Sequence, residues 1–170
     1  MEIKKNIRLG LMLSLLICNV SCDQISKSIV RTRVDYQEQI SLIHPYFTLT
    51  KIENSGAFLS AGDSLPQPIK LIFLSLLPLV ALSFGLFYLF WKTNLSRNLA
   101  LALCFILGGG IGNMYDRIVH GSVTDFLHID FGFIQTGIFN MADVSIMVGM
   151  ALFLVNVNSK KEEQANKPLA

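Results

Sequence analysis

Four long apolar runs, at about 7–30, 69–91, 95–114 and 138–157, are separated by one short polar link and two longer connections. Each run approaches or exceeds the roughly 20 residues that a helix needs to cross the hydrocarbon core of a bilayer, so the pattern predicts four transmembrane helices. Lys4, Lys5 and Arg8 precede the first run, Lys92 and Arg97 flank the short link between the second and third, and Lys160, Lys161 and Lys167 follow the fourth. These basic clusters all fall on one side if the N-terminus is cytoplasmic. The excess of Lys and Arg on cytoplasmic segments predicts that arrangement, with both termini inside. The connections at about 31–67 and 115–137 then lie outside.

The first outer connection mixes Arg31, Arg33, Asp35 and Glu38 with β-branched and alternating patches at Ile40–Ile43 and Tyr46–Ile52. That pattern predicts short strands in a small sheet on the membrane. Asn54-Ser55-Gly56 reads as a turn, and Ala57–Ala61 with Leu65 as a short amphipathic surface piece. Pro66 and Pro68 punctuate the start of the second run, where proline costs the helix no hydrogen bond. Pro78 and Gly85 predict a bend and a packing spot within it, and Tyr88 and Trp91 an anchor at the inner interface. Gly108 and Gly112 have the four-residue spacing that lets membrane helices approach closely, which would bring Asn113 and Asp116 against neighbouring helices. The charged tail, Asn158–Ala170, reads as disordered. The expected organisation is one four-span domain over 1–158 with a short cytoplasmic tail over 159–170.

Composition supports the membrane class: of 170 residues 52% are hydrophobic and only 15% charged, with a mean hydropathy of +0.51. Net charge is +2, and no basic stripe interleaved with aromatics appears, which excludes nucleic acid as a partner. Cys18, Cys22 and Cys104 are odd in number and match no metal spacing. A basic start, an apolar run and Val20-Ser21-Cys22 also fit a secretory signal ending in a lipid-modified cysteine. Asn19 fits poorly before that cleavage point and three more spans follow, so a retained first helix is expected.

Ionisable residues at membrane depth are costly unless paired, neutralised or wetted, and therefore mark functional positions. Asp116, Asp125 and Asp143 fall within one stretch, Gly108–Val144, together with Asn113, Arg117 and Asn140, side chains able to hydrogen-bond a polar group held in lipid. Asp23 and Lys27 stand one helical turn apart, suited to an ion pair. Helical rise puts Asp23 about 22 Å above the inner end of the first span, Asn113 and Asp116 about 24–28 Å up the third, and Asp143 roughly 8 Å below the outer surface. Asp125 lies in the second outer connection, at the lip. Acids from separate elements thus converge on the outer third of the bilayer.

Two carboxylates close together in a dry site cannot both ionise, so one holds a proton that the other has lost. Acid–base hydrolysis of an amide needs that asymmetry. No Gly-x-Ser-x-Gly elbow appears, and no cysteine stands near a histidine. His44, His120 and His128 show no ligand spacing, so neither a metal nor another cofactor is expected.

The whole chain resembles the lipoprotein signal peptidases, the type II signal peptidases of bacteria, which are four-span aspartyl proteases. The likeness rests on Asp23 with Lys27, Asn54-Ser55-Gly56-Ala57-Phe58, Gly109 through Arg117, Thr124-Asp125-Phe126 and Phe139-Asn140-Met141-Ala142-Asp143. It implies a membrane α-helical fold with four transmembrane helices and a small extracytoplasmic β-cradle. It also implies Asp125 and Asp143 as catalytic residues, Asn54, Gly56, Asn113, Arg117 and Asn140 as substrate-binding or supporting residues, and Asp23, Lys27 and Asp116 as structural support. The implied substrates are prolipoproteins carrying diacylglycerol on a cysteine, cut just before that cysteine by a monomer in contact with membrane lipid. Its implied place is the bacterial inner membrane, with the active site facing outward. Thr124 stands where an aliphatic residue is expected and His128 where an acid is common, both beside Asp125. Two alternatives compete. A small proton-coupled carrier would spread its acids along a path across the bilayer, and the lack of an internal repeat with only four spans argues against it. A lipoprotein anchored at Cys22 would have lost Met1 through Ser21.

Overall fold

The computed structural model describes residues 2–36, 38–56 and 65–165. In chain order the elements are α1 (Glu2–Arg33), β1 (Gln39–Ile43), β2 (Phe47–Asn54), α2 (Gln67–Trp91), α3 (Arg97–Val119), β3 (Val123–Ile129) and α4 (Met141–Ala165). All four helices are long and apolar enough to cross a membrane. The amphipathic piece expected over 57–61 lies outside the described residues.

Local chemistry sets the helix ends. Pro66 precedes α2 and Pro68 occupies its first turn, where the missing N–H would have had no partner in any case. Ser96 caps α3, its hydroxyl accepting from the Leu99 N–H at 3.2 Å. The α3 helix continues to Val119, beyond the apolar run, and so carries Asp116 and Arg117 as helical residues. The charged stretch 158–165 is helical where disorder was expected. Lys, Glu, Gln and Ala form helix readily, so α4 propagates through them once its apolar part is fixed. A π-helical segment, Leu71–Leu76, lies within α2 just before Pro78.

The α3 helix packs against each of the other three. Met12, Leu16, Leu89, Ala100, Cys104 and Leu107 form one apolar core among α1, α2 and α3. Leu11, Ile17, Phe84, Trp91 and Leu154 point outward and are exposed, as expected for faces that meet lipid rather than water. Glycines let the backbones close up. A Cβ at Gly109 would collide with the Ala142 carbonyl of α4, and one at Gly112 with the Asp23 carboxylate of α1. Gly108 likewise lies against the Asn19 side chain.

The sheet is antiparallel, in the order β1-β2-β3. The sequence pattern predicted strands in the first outer connection, and the third strand comes from the second one. Ile52 faces Asp125, Glu53 faces Thr124 and Asn54 faces Val123. Because strand side chains alternate, Ile52 and Asn54 share a face with Asp125, and Glu53 shares the opposite face with Thr124. After β3 the chain turns back along it: the Phe139 N–H donates to the Leu127 carbonyl at 2.9 Å, and the Leu127 N–H returns the bond at 2.8 Å. This return delivers Asn140 and the start of α4 beside Asp125. Val30, Val34 and Phe126, with Leu49, Leu127 and Met141 around them, fasten the sheet to the ends of α1 and α4.

Gly109→Val should lower stability by about 1–3 kcal/mol, because the new methyls must displace the α4 backbone. Gly10→Val, at an exposed position with nothing near the added carbon, should change it little. Thermal unfolding of both variants in detergent compares them.

Candidate active site

Asn140 immediately precedes α4, and Asp143 lies three residues on. The Asn140 side-chain oxygen accepts from the Asp143 N–H at 3.0 Å, and Asp143 Oδ2 accepts from the Asn140 N–H at 3.1 Å. This reciprocal pair is a capping box, so the local sequence itself holds the Asp143 carboxylate at the mouth of the helix. The intervening Ala142 N–H donates to Asp23 Oδ1 of α1 at 2.9 Å. The α1 helix thereby satisfies a free amide of the α4 first turn and fixes the height of Asp143.

Two amides join Asp143 to Asp125, and a third holds Asp125 from the sheet. Asn113 Nδ2 donates to Asp143 Oδ1 at 2.9 Å. Asn140 Nδ2 donates to Asp125 Oδ1 at 2.6 Å and lies 3.1 Å from Asn113 Oδ1. From β2, Asn54 Nδ2 donates to Asp125 Oδ2 at 2.9 Å. Gly56 stands behind Asn54: its N–H donates to Asn54 Oδ1 at 3.0 Å and its carbonyl accepts from Arg117 Nη2 at 3.2 Å. Asn54, Asn113, Arg117, Asp125, Asn140 and Asp143 all line one cavity of about 250 Å³, whose remaining wall includes Pro78 and Leu82 of α2 and Ile146 of α4.

Beneath this cavity lies an ionic cluster in which Lys27, Asp23 and Asp116 are fully buried. Lys27 Nζ is 2.8 Å from Asp23 Oδ2 and 3.0 Å from Asp116 Oδ2, and donates to Asn113 Oδ1 at 2.9 Å. Three acceptors match the three hydrogens of the ammonium. With its oxygen facing Lys27 and Asn140, the Asn113 amide must turn its NH2 toward Asp143. Arg31 completes the charge balance. It pairs with Asp116 at 2.9 Å, and its Nε donates to the Thr124 hydroxyl at 2.7 Å, which donates to Glu53 at 2.8 Å. Gln24 Nε2 is 3.0 Å from both Asp23 and Asp116.

The aspartates named from sequence therefore divide by environment. Asp125 and Asp143 face the cavity and touch neutral amides, whereas Asp23 and Asp116 are spent on Lys27 and Arg31. Gln24, Arg31 and Glu53 were not singled out from sequence. Asp23, Lys27 and Arg31 follow at four-residue steps on one helical stripe, a spacing that marks Arg31 in retrospect. Glu53 offers no comparable signal, because its partner Thr124 is brought to it by strand register. Among the described residues, no three His, Cys, Asp or Glu side chains come together in a way that could hold a metal ion. Burial pushes the Asp125 carboxyl up to about 6. The bonds from Asn54 and Asn140 oppose that rise, and the charge of Asp143 adds to it.

Fold and site together define a multi-pass helical membrane enzyme with buried carboxylates gathered beneath a small sheet. A family model described as signal peptidase (SPase) II matches residues 15–158. The lipoprotein signal peptidase of Desulforapulum autotrophicum is 39% identical over 141 residues, which cover 81% of this chain and 85% of that one. That of Pseudoalteromonas translucida is 36% identical over 164 residues, covering 91% and 93%. This chain belongs to the signal peptidase II family. Two solved bacterial membrane enzymes share its fold. One has a TM-score of 0.82 at 22% identity over 95% of both chains, the other 0.74 at 24% identity over 87% and 92%.

Lys27→Met should destabilise the protein by about 3–5 kcal/mol, since it leaves two buried carboxylates without their shared cation. Unfolding in detergent measures the loss. Asp125 makes the stability depend on pH. Its raised value means that the folded state holds the proton more tightly than the unfolded chain does. This contribution is fully present below about pH 4 and is lost as pH rises through about 6. Relative to Asp125→Asn, the wild type should lose about 2–3 kcal/mol between pH 4 and pH 7, read from thermal unfolding across that range.

Proposed function

We propose that this chain is an aspartyl endopeptidase that removes the signal peptide from diacylglyceryl-modified prolipoproteins, cutting just before the lipidated cysteine. Membership of the signal peptidase II family supports removal of signal peptides from prolipoproteins. The observation that carries the aspartyl mechanism is the convergence of Asp125 and Asp143 on one cavity, joined through Asn140 and Asn113.

In this mechanism the pair shares one proton. The ionised member takes a proton from a water whose oxygen attacks the scissile carbonyl carbon, while the protonated member hydrogen-bonds the carbonyl oxygen. As the tetrahedral intermediate collapses, the C–N bond breaks and the amine leaves with a proton from the pair. The products are a new carboxyl end on the signal peptide and a free amino group on the lipidated cysteine. Asn54, Asn113 and Asn140 orient the two carboxylates, and Arg117 braces the Asn54–Gly56 turn from the cavity wall. The dry surroundings strengthen each of these hydrogen bonds.

The site faces outward in this reading. Arg8, near the start of α1, hydrogen-bonds the carbonyls of Thr93 and Lys92 in the α2–α3 link, so these basic segments share the end of the bundle away from the sheet. The rule that basic segments stay inside makes that end cytoplasmic and the sheet extracytoplasmic, in the bacterial inner membrane.

Asp125→Asn and Asp143→Asn should each lower cleavage of a lipid-modified precursor by at least about 10³-fold, with helical content and detergent-solubilised monodispersity retained. Full turnover by either variant would remove it from the mechanism.

A further inference from the structure

Two cavities meet at Asp125. The one already described, about 250 Å³, reaches toward apolar side chains of α2, α3 and α4. The other, about 460 Å³, lies on the sheet side, and its wall includes Ile52, His128, Gln135 and Thr136. Asn54, Asp125 and Ile138 line both. The second is of a size that accommodates a small ligand or a short stretch of polypeptide.

His128 is the anomaly in that wall. The polar side chains beside it are engaged or exposed: Asn54 and Asn140 bond the carboxylate, Thr136 Oγ1 bonds the Ile129 backbone, and Gln135 is exposed. The His128 ring has no hydrogen bond among the described residues, and its Nδ1 is buried without one. Buried polar atoms are almost always paired, so an orphan in the wall of a cavity is free to bond a group that enters it. An imidazole that no neighbour holds in one tautomer can both donate and accept.

We propose that the sheet-side cavity is the subsite for the polypeptide that continues beyond the scissile bond, and that His128 selects a hydrogen-bonding side chain there over an aliphatic one. This rests on the reading of Asp125 and Asp143 as the hydrolytic pair. A prolipoprotein must pass from the bilayer interior, where its apolar signal segment lies, to the outside, where its mature part continues. The order of the cavities matches the order of the substrate: one among the helices, the shared aspartate, then one on the sheet side. Residues at the first two positions after the cysteine would reach His128, and Gln135 beside it offers further hydrogen bonds.

The test uses purified full-length enzyme and diacylglyceryl-modified precursor peptides carrying Ser or Leu at the first or second position after the cysteine. The wild type should favour Ser by about tenfold in kcat/KM at one of these positions, the scale of one hydrogen bond gained in a partly wet site. In His128→Leu that ratio should fall to within about twofold of unity or invert, and His128→Gln should restore most of it. Because the readout is a ratio between substrates, it stands apart from any general loss of rate. A wild type indifferent to Ser or Leu at both positions overturns the proposal, as does a His128→Leu ratio equal to the wild type's. Asp125→Asn serves as the control that separates the two ideas. If it cleaves at the wild-type rate, the hydrolytic reading fails and the subsite with it. If it is inactive while the Ser-to-Leu ratio ignores His128, the subsite alone fails.

Discussion

One ammonium group, that of Lys27, holds the helical half of the site in register. Three elements depend on it at once: α1, which carries it, α3 through Asp116 and Asn113, and α4 through Asp23, whose second oxygen takes the Ala142 N–H. A charge in so apolar a setting is tolerated only when every proton finds an acceptor and the surrounding charges cancel. The charges of Asp23, Asp116, Lys27 and Arg31 cancel, and each hydrogen of the Lys27 ammonium finds an acceptor. The cluster ties α1, α3 and α4 together at one point of the bundle.

The same cluster keeps its cations out of contact with the cavity-facing acids. An ammonium in direct contact with Asp125 and Asp143 would hold both ionised. Lys27 stops one residue short, with the Asn113 amide between it and Asp143. What touches the two carboxylates is neutral: Asn54, Asn113, Asn140 and a backbone N–H. Amides fix the direction of a carboxylate oxygen without committing its charge, and burial then lifts Asp125 toward the neutral form.

The sheet supplies what the helices cannot. It carries Asp125 and Asn54 on one face and, through Thr124, reaches Arg31 and the ion cluster on the other. Where the family resemblance implies an aliphatic side chain, Thr124 here links Arg31 to Glu53, so the strand that bears Asp125 is tied to α1 by a hydrogen bond as well as by the packing of Phe126 on Val30 and Val34. The extra residue that β2 inserts between Leu49 and Ile52, opposite Phe126, re-aims this strand pair and brings Asn54 over the carboxylate.

By itself the sequence determined the features that act over one element. Run length and hydropathy gave the four helices, the Asp23–Lys27 spacing gave the ion pair, and Asn140 with Asp143 carries its capping box in the three-residue interval. Helical rise put Asp23, Asp116 and Asp143 toward the same end of the bundle, where they meet, and the family blocks identified the residues worth following. Tertiary structure decided which acids are tied up and which face the cavity. Asp116 and Asp125 are nine positions apart and chemically identical, yet one meets Lys27 and Arg31 and the other meets two amides. That division depends on a third strand recruited from the second connection and on glycines that let α3 settle against α1 and α4. Contacts between distant segments depend on the mutual orientation of helices and strands, and hydropathy and local spacing carry no record of it.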